Sequence, residues 1–260
     1  ESGEMRALFV IGAALAFLSA LLAWRWIGEP REKIDRRRLD FVDLHWRVEL
    51  LRYLPMRILH ILDLRNHLGK PRKYSPALYR YLAIVFLLFS GFTAFYAIFP
   101  VYLRDVAGLS TAQVFAVFIA SQVASAVAYG RVGGWIQKRG SRRVQIYASA
   151  GRAVLFPAFL ALPLFRVGPL AAFALILTFH ALVGLCWAVI NVAGSTIVSD
   201  LAPPGDRSGV LGAFNAVQGF GAILGPLTGG FVAHLLGFSA GILSSSAFIL
   251  AGVLLLAVSR

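Results

Sequence analysis

The sequence predicts an all-α membrane protein with about seven transmembrane helices. Three observations carry this: the composition, a series of apolar runs long enough to cross a bilayer, and basic residues gathered between those runs. Hydrophobic residues make up 58% of the 260 and charged residues 14%, and the mean hydropathy is +0.75. So apolar a chain has too little polar surface to cover a water-soluble globule of its size. The net charge of +13 would suit a nucleic-acid binder, but no basic patch alternates with aromatics as a stacking platform would require. The basic residues lie in the connections instead, and no nucleic-acid role follows. The single cysteine, Cys186, sits within an apolar run, which excludes an internal disulfide framework and predicts no metal or other cofactor.

A hydrocarbon layer about 30 Å thick needs about 20 apolar residues at 1.5 Å rise. Runs of that kind lie near 7–27, 78–103, 110–136, 144–164, 168–199, 209–236 and 238–259. Each is expected to be helical, because a backbone in lipid must satisfy its own hydrogen bonds, and the runs lack the alternating polarity of barrel strands. The first run is preceded by Met5 and Arg6 and so has a signal peptide as its competing reading. It is long for a signal core, however, and no small-x-small cleavage site follows Ala23.

Orientation follows from the Lys/Arg bias of the connections. Segment 28–77 carries twelve basic residues, among them Arg36, Arg37 and Arg38, and the turn at 137–143 carries Lys138, Arg139, Arg142 and Arg143. Both are expected in the cytoplasm. Alternation then puts 200–208 and Arg260 inside, with the turns near 104–109, 164–167 and Gly237 outside. Within 28–77, Phe41, Leu44, Val48, Leu51, Ile58 and Leu62 recur at helical spacing with arginines interleaved, and Pro55 interrupts them. The segment reads as an amphipathic linker, lying on the headgroups or packed on the cytoplasmic helix ends. The expected organisation is a transmembrane helix at 1–27, this linker at 28–77, and a six-helix bundle at 78–260, in contact with membrane lipid.

Three local patterns stand out. The first is GGWIQKRGSRR, Gly133 to Arg143. The second is GAILGPLTGG, Gly221 to Gly230, whose glycines permit close helix approach and whose Pro226 bends its helix. The third is the entry to that helix, Pro203 to Gly209, which contains Arg207. With the span count and the long basic loop, these patterns make nearly the whole chain resemble the major facilitator superfamily from its sixth helix through its twelfth.

In the first pattern Gly133, Gly140, Lys138 and Arg142 match the family's glycine and basic positions. Gln137 stands where the family has an acid, and Ser141 replaces a basic residue, so the family's electrostatic latch is altered. The second pattern, at Gly221, Gly225, Pro226, Gly229 and Gly230, matches a motif of the antiporter branch, displaced to the pseudo-symmetric helix of the other half. Together with Arg207 these residues are the candidate gating elements. The resemblance implies a secondary active transporter that moves a small solute by alternating access, proton-coupled efflux included. It further implies an amino-terminal six-helix half as partner to this chain and residence in the cell membrane.

Polar side chains within spans are costly and face the protein interior or a cavity. The resemblance assigns the cavity walls to the helices that carry Tyr96, Gln122, Trp187, Asn191, Asn215 and Gln218, the candidate substrate contacts. Each has a helix-to-helix hydrogen bond as its competing role. Arg152 and His180 are the candidates for an interdomain or proton-coupling role, although a buried neutral histidine needs only a hydrogen-bond partner. No Asp or Glu lies at mid-depth in a span, and no Ser/His/Asp set or carboxylate pair points to an enzyme. The rival reading on the same fold is a membrane scaffold or assembly factor that does not transport. A scaffold's cavity would be filled by large apolar side chains.

Overall fold

A computed structural model describes residues 2–26, 74–161 and 168–259. The chain divides into two compact units, Glu1–Pro71 and Arg72–Arg260. In the first, α1 (Ser2–Trp26) is a continuous 25-residue helix. The expected amphipathic linker lies outside the described residues, apart from its last four positions.

The second unit contains six helices: α2 (Pro76–Asp105), α3 (Thr111–Arg139), α4 (Ser141–Ala161), α5 (Pro169–Asp200), α6 (Arg207–Leu236) and α7 (Phe238–Val258). All six are long and apolar enough to cross a membrane. Their boundaries have local causes. The Ser75 side chain accepts a hydrogen bond from the Leu78 amide at 3.2 Å, with Pro76 at the first helical position. Ser110 and Gln113 form a reciprocal capping box at the start of α3.

The basic turn is shorter than the sequence suggests. Helix α3 runs through Gly133, Gln137 and Lys138 to Arg139, where Lys138 and Arg139 complement the negative end of its dipole. Only Gly140, at φ +79°, separates it from α4. That left-handed conformation suits glycine. A similar break at Gly237, φ +86°, separates α6 from α7.

Helix α2 forms the centre of the bundle, with buried side chains around much of its circumference, whereas α6 buries mainly Val210, Phe214 and three glycines. Those glycines, Gly221, Gly225 and Gly229, recur every four residues and meet α2. A Cβ on Gly221 would lie 2.9 Å from that of Phe89, and one on Gly229 would lie 2.6 Å from the Ala94 carbonyl oxygen. Gly184 makes the equivalent approach between α5 and α3, against the backbone of Ser121. Without apolar solvent exclusion to drive association, close backbone packing of this kind holds helices together in lipid. Thr93 strengthens the α2–α6 contact by donating to the Gly221 carbonyl at 2.9 Å. Large apolar side chains such as Leu254, Phe231 and Leu227 are exposed on the bundle, as expected where the surroundings are hydrocarbon.

Candidate functional site

Five of the bundle's helices enclose one side of a cavity of about 630 Å³. Helix α2 contributes Phe89, Phe92, Thr93 and Tyr96. From α3 come Phe118, Ser121 and Gln122, and from α5 His180 and Trp187. Helix α6 supplies Asn215, Gln218, Gly219 and Ala222, and α4 supplies Arg152 alone. The sequence therefore anticipated Tyr96, Gln122, Trp187, Asn215 and Gln218 as neighbours in space, and the structure brings them to one cavity. Asn215 and Gln218 share a face because a three-residue step nearly completes a helical turn.

Asn191 departs from this group. It lines a separate groove with Tyr129, Ser195 and Ser199, and its Nδ2 donates to the Tyr129 hydroxyl at 3.2 Å. It lies about 6 Å farther along α5 than Trp187, in a different lining. Its hydrogen bond is the helix-to-helix contact that was its competing role.

Arg152 and His180 join the cavity, which the periodicity of their helices did not reveal. Arg152 sits about 16 Å along α4 from Ser141 at 1.5 Å per residue and is fully buried. Its guanidinium carbon lies 4.3 Å from the ring centre of Phe92, 5.2 Å from Phe156 and Trp187, and 5.5 Å from Tyr96. Nη2 donates to the Tyr96 hydroxyl at 2.9 Å, while Nε and Nη1 have no partner among the described residues. Insertion of an arginine at the membrane centre costs about 2.5–3.5 kcal/mol. A desolvated cation–π contact recovers about 2 kcal/mol, so the aromatic cage offsets the charge without occupying its donors.

His180 is equally buried. Its ring stacks on Phe99 at 5.0 Å and meets Phe118 at 5.2 Å, Tyr96 at 5.9 Å and Phe159 at 6.1 Å. Neither ring nitrogen has a hydrogen-bond partner among the described residues. Behind it, Phe95 stacks on Phe156 at 3.7 Å and on Phe99 at 4.4 Å. These rings form an aromatic cluster that is buried in the bundle and does not itself line the cavity.

The gating candidates distribute differently. Arg142 donates from Nε and Nη2 to the Leu256 carbonyl at 2.9 and 2.7 Å, and from Nη2 to Ala257 at 3.1 Å. It therefore caps the carboxyl end of α7. Gln137, Lys138 and Arg207 are exposed, and nothing lies within 4 Å of a Cβ built on Gly133 or Gly230. Pro226 lies within α6, one residue beyond the tightly packed Gly225. The sequence reading missed Phe89, Phe92, Thr93, Phe118 and Ser121. An aromatic facing a cavity has the same sequence signature as one packed in a core, and no local signal separates them. Among the described residues no cluster of His, Cys, Asp or Glu is arranged to hold a metal.

The family model for the Major Facilitator Superfamily matches residues 1–179 and 158–260, which together span the chain. A proton-coupled antiporter flippase LtaA from Staphylococcus haemolyticus is 34% identical over 108 residues, 41% of this chain and 26% of the relative. The protein of the same name from Staphylococcus saprophyticus is 24% identical over 143 residues, 55% of this chain and 35% of the relative. The matched stretches thus cover about a third or less of these curated relatives' length.

Proposed function

The chain belongs to the major facilitator superfamily, and on that premise we propose that it forms one half of a secondary active transporter that binds a small solute in the cavity between α2, α3, α5 and α6. It is a multi-pass membrane protein, and we place it in the cell membrane. The observation that carries the proposal is the cavity itself. Its volume of about 630 Å³ falls in the range of small-molecule sites. Aromatic side chains of Phe89, Phe92, Phe118 and Trp187 share its lining with the amides of Gln122, Asn215 and Gln218. A scaffold on the same fold would fill this space with large apolar side chains.

Alternating access requires the solute to bind differently in inward- and outward-facing states, so that its binding energy redistributes the two populations. In this reading the amino-terminal half completes the site, and the Gly221–Gly225–Gly229 stripe is the surface on which α6 pivots against α2. The related flippases are described as proton-coupled antiporters. His180 is the imidazole in the cavity's lining. It faces Tyr96 and lies close to Arg152, and we assign it the proton-coupling role of this half.

The test is flux of candidate solutes through the intact transporter in proteoliposomes. Asn215→Leu and Gln218→Leu are expected to lower flux at least about tenfold, as loss of one or two hydrogen bonds to a bound solute would. Leu254→Ala, on the exposed apolar surface, is expected to leave it unchanged. Equal flux in all three variants would refute the cavity as the transport site. A His180→Gln variant with undiminished dependence on a proton gradient would refute the coupling role.

A further inference from the structure

The bundle carries a complete arginine cation at mid-depth, and its described residues offer no carboxylate to match it. The bundle's described acids are Asp105 at the end of α2, Asp200 at the end of α5 and Asp206 at the start of α6. All three stand at helix ends, and none lines the cavity with Arg152. The four surrounding rings hold the guanidinium by its charge and fix its orientation, but they accept no conventional hydrogen bond.

A guanidinium has five N–H donors arranged as two forks, one formed by Nε and Nη2 and the other by Nη1 and Nη2. Tyr96 takes one hydrogen of Nη2, while Nε and Nη1 are unpartnered among the described residues. Whichever Nη2 hydrogen Tyr96 takes, the other completes a free two-donor fork. Such a fork matches the spacing of two oxygens on a carboxylate, phosphate or sulfonate. Arg152 is caged, oriented and fully buried, with Nε and Nη1 lacking a partner among the described residues, and it belongs to the lining of a cavity that also presents Phe92, Trp187 and Gln218.

We propose that Arg152 is the anion-binding group of the cavity, and that the transported solute carries a carboxylate, phosphate or sulfonate on an aromatic or apolar body. The negative group seats on the free fork of Arg152, and the body lies against Phe89, Phe92 and Trp187. The neighbouring amides, Gln122, Asn215 and Gln218, take further polar atoms. Tyr96 is a positioning residue: its hydroxyl holds Nη2 and so selects which fork faces the solute. The assignment rests on the transport reading, which supplies the reason for an open cavity at mid-membrane.

The test uses the intact transporter in phosphatidylcholine nanodiscs, with three probes on one naphthalene body: 2-naphthoate, neutral 2-naphthamide and cationic 2-naphthylmethylamine. Binding is measured by equilibrium dialysis and corrected with empty discs. The expected result is that naphthoate binds at least about tenfold more tightly than the amide and the amine, the scale of one charge-assisted fork. Arg152→Gln should remove that preference and leave amide binding within about twofold of the parent, which also shows that the cavity persists. Arg152→Lys, which keeps the charge without the fork, should retain a reduced preference and covers the case in which Arg152→Gln fails to fold. Tyr96→Phe should weaken naphthoate binding alone.

Three results would overturn the assignment: equal affinities for the three probes, absence of binding by all of them included; a preference for naphthoate that survives Arg152→Gln; or a parent that prefers the amine. The flux assays on Asn215 and Gln218 are read independently of these probes. Failure of anion selection with flux intact therefore sinks this inference and leaves the transport reading standing.

Discussion

Replacing Gly225 by alanine should destabilise the bundle, whereas the same change five residues along, at Gly230, should not. A Cβ at Gly225 would lie 2.8 Å from the Ala94 amide nitrogen and closer still to Thr93 Oγ1 and the Ser90 carbonyl oxygen. Ordinary carbon contacts sit at about 3.5–4.0 Å, so α2 and α6 must separate locally by about 1 Å. Overpacking of this kind costs about 1–3 kcal/mol. The 2.9 Å bond from Thr93 to the Gly221 carbonyl lies on the same contact, and its loss adds about 1 kcal/mol. Better helix propensity returns up to about 1 kcal/mol, which leaves a net cost near 2 kcal/mol.

At Gly230 nothing lies within 4 Å of the added methyl, and only the propensity gain of about 1 kcal/mol remains. The two variants should therefore differ by about 3 kcal/mol, or roughly 6–12 °C in melting temperature for a chain of this size. Thermal unfolding of both proteins in one detergent, followed by tryptophan fluorescence, measures the difference. Coincident melting curves, or a less stable Gly230→Ala, would refute the reading of Gly221, Gly225 and Gly229 as the packing stripe.

Two further outcomes are expected. Arg142→Ala removes three hydrogen bonds to the last carbonyls of α7 and should cost about 1–3 kcal/mol. It should also speed amide exchange around Leu256, with Arg142→Lys intermediate, and exchange unchanged from the parent in both variants would remove the capping role. Reporter tags inserted near Arg36 and after Gly140 should report the same, cytoplasmic face, because the Lys/Arg excess fixes it. Opposite faces would reverse the topology.

Much of the bundle was legible in the sequence because lipid imposes a simple rule. A run of apolar residues must close its hydrogen bonds as a helix, so the spans from Pro76 to Val258 followed from length and hydropathy. The basic turn was less so. Residues 137–143 read as a turn, but Gln137, Lys138 and Arg139 are good helix formers and continue α3 until Gly140 supplies the positive φ.

The cavity was half legible. Amides within apolar spans announce themselves, which is why Gln122, Asn215 and Gln218 were identifiable and why Asn191 was grouped with them, although its partner is Tyr129. The phenylalanines of the wall carried no such mark. Arg152 was conspicuous as a buried charge, but helical periodicity does not record how far a long side chain reaches. Its place among Phe92, Tyr96, Phe156 and Trp187 depends on the packing of α2, α4 and α5 together.

Alternating access to this cavity is most directly measured by cysteine accessibility at Gln218. Gln218→Cys, in a Cys186→Ala background, is to be probed with a membrane-impermeant maleimide in right-side-out and in inside-out vesicles, with Leu254→Cys as the apolar surface control. Position 218 should react from both sides, and position 254 should stay protected from both. Reaction of 218 from one side alone, or from neither, would contradict a bundle that opens its cavity alternately to the two faces of the membrane.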